Sequence, residues 1–90
     1  MTKEELVKKI SKETGLDKTV VSTVVEHMMT GIKGSLINDR PVYLRGFGTF
    51  KNITRRQKTA RDIGRHTTIL VPEHKVPCFK PCKILKDEIR

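Results

Sequence analysis

Between Lys18 and Ile37 the chain carries Val20, Val21, Val24, Val25, Met28, Met29, Ile32, Leu36 and Ile37, apolar positions recurring at i, i+3 and i+4. The recurrence predicts a helix from about 18 to 37 despite the β-branched content, because intrinsic propensity is a weak preference that a long periodic pattern overrides. The apolar arc is broader than one stripe, so the helix has two faces to cover. A chain of 90 residues buries only about 60 to 65% of its unfolded surface alone. One face is therefore expected to meet another helix of the same chain and the other a second subunit, which makes a dimer the expected state.

The segments on either side fit that frame. Thr2-Lys3-Glu4-Glu5 has the form of a capping box, with the Thr2 hydroxyl accepting from the Glu5 N–H and the Glu5 carboxylate reaching back to the Thr2 amide. The helix it opens places Leu6, Val7 and Ile10 on one face and Lys8, Lys9 and Lys12 in water, and Gly15 suits a left-handed stop. Asp17 is expected to cap the second helix, with Leu16 packing on Val21 across the cap. After the turn Asn38-Asp39-Arg40-Pro41 the pattern becomes β-type. Strands are expected at 42–45 and 49–54 around Gly46-Phe47-Gly48, whose two glycines supply backbone angles other residues avoid. Thr67-Thr68-Ile69-Leu70-Val71 is a third β-favouring run. Pro72 interrupts it, and the chain is expected to bend there before 75–79 rejoins a sheet. Pro81 is expected to open a last helix from Cys82 to Arg90, docking Ile84, Leu85 and Ile89 on the body.

Charge is unevenly spread. The chain has 19 basic and 10 acidic residues, a formal net charge of +9. Residues 1–50 hold 8 basic and 6 acidic side chains, net +2, and residues 51–90 hold 11 and 4, net +7. The stretch Arg55 to His66 alone has five Lys or Arg against Asp62, with Ile63 as its one large apolar side chain. Such a segment has no means of burying itself and is suited to lying along a polyanion. Joined to the strands before and after it, it predicts a β-ribbon with its tip near 62–65, where Gly64 takes a positive φ.

Other function classes find little support. No 18-residue apolar run and no hydrophobic signal core is present, so neither a membrane span nor secretion is expected, and a cytoplasmic protein is. Cys78 and Cys82, with only His74 nearby, fall short of a structural zinc set and are expected to stay reduced as small apolar side chains. His27 is expected to be a packed helix residue; His66 and His74 lie near the arm without a nucleophile or acid pair, so no enzyme, metal or cofactor is expected. A basic module for an anionic membrane or an acidic protein is a further reading. The positive excess lies on β-type segments rather than on the basic amphipathic helix that membrane surfaces favour.

Gly46-Phe47-Gly48-Thr49-Phe50, Arg61, Val76-Pro77-Cys78-Phe79 and Lys83-Ile84-Leu85-Lys86 together resemble the bacterial HU and integration host factor family of histone-like DNA-binding proteins, over essentially the whole chain. The resemblance implies an α+β fold: an N-terminal helical hairpin, a three-stranded antiparallel sheet with an extended β-ribbon arm, and a short C-terminal helix, in an intertwined dimer. It implies one domain, 1–90, with a dimerisation body of about 1–54 and 73–90 and an arm of about 55–72. Its function would be architectural: double-stranded DNA bound in the minor groove by the arms and bent with little sequence specificity, in the nucleoid. A site-specific bender of the integration host factor type is the close alternative. A homodimer is expected, with a heterodimer of paralogues open.

Residue by residue, Arg55, Lys58 and Arg61 match basic arm positions of that family, and Lys3, Lys18 and Lys83 match body lysines that touch flanking phosphates. Arg56, Arg65, Lys75, Lys80 and Lys86 receive auxiliary phosphate roles on charge and position. The tip departs from the family, which reads R-N-P-x-T-G where this chain reads Arg61-Asp62-Ile63-Gly64-Arg65-His66. Ile63 takes the position of the proline wedge, and isoleucine is itself among the side chains that unstack a base step; minor-groove wedging is a known property of this group of proteins.

Overall fold

The computed structural model describes residues 1–62 and 67–90, and the side chains outside 58–69. The chain divides into two compact units, Met1–Gly34 and Ser35–Arg90.

The first unit holds α1 (Lys3–Thr14) and most of α2 (Lys18–Ile37), the bounds the apolar periodicity predicts. At the start of α1 the Thr2 hydroxyl accepts from the Glu5 N–H at 3.2 Å, the first half of the expected capping box. Gly15 ends it with φ +75°, its N–H donating to the Ser11 carbonyl at 2.9 Å, because a left-handed residue without a Cβ closes the last turn without strain. The Asp17 carboxylate accepts from the Thr19 N–H at 3.4 Å, a long bond that marks the N-terminus of α2. Two ion pairs join the helices, Lys3 to Glu26 and Lys18 to Glu4, the second at 3.8 Å. Their side chains are about half exposed or more, so each contributes at most about 1 kcal/mol.

The core of the single chain is thin. Among the described residues Val7 and Val21 are the buried apolar side chains. Val20, Val24, Met28, Met29 and Ile37 along α2, with Leu6 and Leu16, are 40–73% exposed. His27 is likewise exposed, not packed as expected, since the arc it borders has no cover within one chain.

In the second unit, β1 (Val42–Leu44), β2 (Gly48–Arg55) and β5 (His74–Pro81) form an antiparallel sheet in the order β1-β2-β5, and β3 (Lys58–Asp62) pairs with β4 (Thr67–Val71) as a separate two-stranded ribbon. One sheet face packs through aromatics. Phe50 lies opposite Phe79 in register, their ring centroids are 4.9 Å apart, and Phe47 sits 5.0 Å from Phe79, within the range of tilted aromatic pairs. The connection between β1 and β2 uses its glycines for different reasons. Gly46 takes φ +83°, as expected. At Gly48 the constraint is space rather than angle: a Cβ there would lie 2.6 Å from the Lys80 carbonyl and from the Phe79 ring.

The turn after α2 is tied to this sheet. Asp39 adopts φ +56°, a left-handed conformation that Asp tolerates better than most residues. Its carboxylate accepts from Asn52 Nδ2 at 3.1 Å and from Lys75 Nζ, while the same Asn52 amide donates to the Leu36 carbonyl at 2.8 Å. The end of α2 is thereby held to β2 and β5.

Sheet and ribbon are separated by two-residue breaks at 56–57 and 72–73, between the pairs Arg55↔His74 and Lys58↔Val71. Pro72 lacks the N–H that a continuous ladder needs there, so the interruption expected at Pro72 is present in both strands. The last helix, α3, spans Lys83–Ile89 between the N-cap Cys82 and the C-cap Arg90, the bounds expected, but Pro81 ends β5 instead of opening the helix, and the Cys82 Sγ accepts from the Leu85 N–H at 3.4 Å. Ile84 and Ile89 do not dock; they are 61% and 78% exposed, and only Leu85 of the three is partly covered.

Candidate nucleic-acid interface

Strand alternation sorts the sheet residues into two sets. Phe50, Phe79 and Val42 share the aromatic side, and the register places Tyr43, Thr49 and Lys80, then Lys51 and Cys78, Ile53 and Val76, and Arg55 and His74 on the other. This second face is basic at both ends, with the apolar pair Ile53 and Val76 between them. At its α3 end a groove of about 890 Å³ is lined by Arg45, Lys51, Lys80, Lys83, Lys86 and Arg90, six cations against the single carboxylate of Asp87, beside the exposed ring of Tyr43. Crowding like charges around an open groove leaves a positive potential that an anionic polymer relieves.

Of the residues the sequence singles out, the structure brings Lys80, Lys83 and Lys86 together in this groove. It adds Arg45, Lys51 and Arg90, which the sequence reading missed. The signals were present: Lys51 has the parity of Thr49 and Arg55 on its strand, and Arg90 stands seven positions after Lys83 and four after Lys86, a helical spacing. At the other end of the same face Arg55 and Arg56 line a second cleft, of about 620 Å³, with Gln57, His74, Val76 and Pro77.

Lys75 does not join this face. Its Cα partner is Thr54, which puts it on the aromatic side, where its ammonium is paired with Asp39. The Lys75 hydrogen bond, then the Asn52 hydrogen bond and the Lys75 charge, hold the Asp39 carboxyl below its ordinary value. Lys3 and Lys18 lie in the other unit, each already paired with a glutamate. Lys58 and Arg61 lie on β3, opposite Val71 and Thr68, with side chains outside the described set; Ile63, Gly64 and Arg65 lie outside the described residues altogether. Cys78 and Cys82 are free thiols, and no described helix is long and apolar enough to cross a membrane.

The chain runs from a two-helix unit into a sheet whose second and last strands flank a separately paired ribbon, and ends in a short helix; a family profile described as bacterial DNA-binding protein matches residues 1–90. The chain belongs to the bacterial DNA-binding protein family. It is 36% identical over 90 residues to the DNA-binding protein HU of Thermus thermophilus, covering all of this chain and 93% of that one. It is 33% identical to HU of Thermotoga maritima, with both chains covered completely. In structure it superposes on HU from an Anabaena HU–DNA cocrystal with a TM-score of 0.93, covering 99% of this chain and 97% of that one; at 24% identity this likeness bears on fold alone. A variant of Thermotoga maritima HU superposes with a TM-score of 0.75 at 28% identity, both chains being fully covered. Membership accounts for the helical hairpin, the three-stranded sheet, the ribbon and the terminal helix as one family fold.

Proposed function

We propose that this protein is an architectural double-stranded DNA-binding protein that acts as a dimer, clasps the minor groove with its ribbons and bends the duplex with little sequence preference. The observation that carries the reading is the six-cation groove at one end of a sheet face whose other end carries Arg55, in a chain whose family profile spans all 90 residues. Relatives of similar length are named DNA-binding protein HU, and the Anabaena neighbour was crystallised with DNA. Phosphate neutralisation supplies sequence-independent affinity, and deformation of the duplex adds a preference for sites that bend easily.

The remaining assignments follow from that reading. The uncovered apolar row on α2 supports a second copy of the chain as its cover, since exposed residues of this size over several turns mark an interaction face. The chain acts as one DNA-binding domain, 1–90, whose arm of about 55–72 begins and ends near the paired breaks at 56–57 and 72–73. Arg55, Arg56, Lys58, Arg61 and Arg65 follow the groove, with Ile63 as the wedge; Lys80, Lys83 and Lys86 hold flanking phosphates, and Lys3 and Lys18 join them by exchanging a carboxylate partner for a phosphate, while Lys75, turned to the aromatic side and paired with Asp39, stays outside this set. The protein is not an enzyme and works in the cytoplasm on the nucleoid. Gel mobility of linear, nicked and four-way duplexes, with the complex's mass measured alongside, tests this. Retardation of all three by a two-chain species supports it; stronger retention by anionic vesicles than by duplex at equal ionic strength contradicts it.

A further inference from the structure

We infer that His74, together with Arg55 and Arg56, forms a proton-dependent site for a backbone phosphate at the root of the ribbon, so that duplex binding is coupled to proton uptake. The inference rests on the DNA-binding reading above. His74 faces Arg55 across the last β2–β5 pair, and the two line one open cleft with Arg56. The His74 Nδ1 lies 2.8 Å from the Pro72 carbonyl. A carbonyl only accepts, so Nδ1 carries the proton and the neutral ring has its lone pair on Nε2. Among the described residues nothing else hydrogen-bonds this ring.

A neutral Nε2 offers a phosphate oxygen nothing, since both are acceptors. Once protonated, the ring keeps its bond to Pro72 and presents a charged donor at Nε2, beside two guanidiniums that stay charged at all relevant pH. Arg55 from β2 and Arg56 from the break are the cations that line the cleft with it. Glu73 in the break and Lys75 on β5 flank it along the chain, and the Lys75 ammonium is already paired with Asp39. Gln57, Val76 and Pro77 add no charge. A phosphate seated in the cleft reverses the local sign and favours the imidazolium. The ligand thus draws the site into its charged form.

The test is the affinity for a linear duplex between pH 5.5 and 8.0 at fixed ionic strength, a window spanning the ordinary imidazole value of about 6.5. Affinity should rise severalfold toward the acid end. The slope of log K against log salt should also steepen there by about 0.9 per chain, one phosphate each. His74→Gln should diminish both changes while His27→Gln retains them. In the wild type the His74 ring resonances should titrate at higher pH with duplex than without, which tests the site even if the variant fails to fold. A pH response that survives undiminished in His74→Gln or disappears in His27→Gln overturns the inference, as does a ring titration that duplex leaves unmoved. Tight, salt-sensitive but pH-independent binding overturns the inference alone; no duplex binding at any pH overturns the function on which it rests.

Discussion

Replacing Gly48 by alanine tests whether the basic face is positioned by close packing at one point. The added Cβ would sit 2.6 Å from the Lys80 carbonyl oxygen and 2.6 Å from the Phe79 Cε1. Reaching a contact of 3.4 Å therefore needs β5 or the ring to retreat by about 0.8 Å, the difference of those distances. The carbonyl cannot retreat alone, because Gly48↔Pro81 and Thr49↔Lys80 are consecutive sheet pairs, and the Phe79 ring is wedged between Phe47 and Phe50. Forcing atoms into a packed site costs about 1 to 3 kcal/mol, and for a domain of this size each kcal/mol lowers Tm by roughly 4 to 8 °C. Circular dichroism melts at fixed protomer concentration should show Gly48→Ala melting at least about 4 °C below wild type. Gly46 is the control. Nothing lies within 4 Å of a Cβ there and its φ is +83°, so Gly46→Asn should cost less than Gly46→Ala, whereas Gly48→Asn should cost at least as much as Gly48→Ala. A Gly48→Ala protein melting with wild type would refute the close-approach account.

Three further outcomes are expected. The Asp39 carboxyl is held below its ordinary value by Lys75 and Asn52, so its stabilisation is present above the unfolded value of about 3.9 and is lost as pH falls through the lower folded one; the Tm gap between wild type and Asp39→Asn should be open at pH 7 and close in acid, and a gap unchanged with pH would contradict this. Val24 is 62% exposed on α2, so Val24→Asp should shift the mass seen by light scattering from two chains toward one, or unfold the protein; an intact dimer with unchanged Tm would show that this row is not the contact. Ile63→Ala should reduce duplex bending, read by fluorescence transfer between duplex ends, more than it reduces affinity, while Arg61→Ala should weaken binding across sequences and flatten the salt response. Unchanged bending in the Ile63 variant removes the wedge.

Local chemistry made much of the fold legible. Thr2, Gly15 and the periodic run from Val20 to Ile37 define α1 and α2 because caps and apolar spacing act within a few residues of one another. Pro72 announced the break in the ribbon for the same reason: a missing N–H is a property of one residue. What the sequence did not disclose depends on distant partners. Gly48 reads as a turn residue until β5 is laid beside it, and Lys75 reads as a free cation until strand parity turns it toward Asp39. The extent of the site was under-read in the same way. Lys80, Lys83 and Lys86 stood out by charge, but Arg45 and Lys51 join them only once β1, β2 and α3 surround one groove. Ile84 and Ile89 were over-read, since apolar character alone does not say whether a covering surface lies within the same chain.

The central claim is that affinity comes from displacing counterions along a duplex over the basic face and ribbons. A titration of linear duplex at several salt concentrations measures this directly. If the dimer neutralises roughly 6 to 10 phosphates, log K against log salt should fall with a slope of about −5 to −9, and removing Lys51, Lys83 and Arg90 together should make it distinctly shallower. A slope near zero, or one unaffected by losing those three cations, would contradict the account.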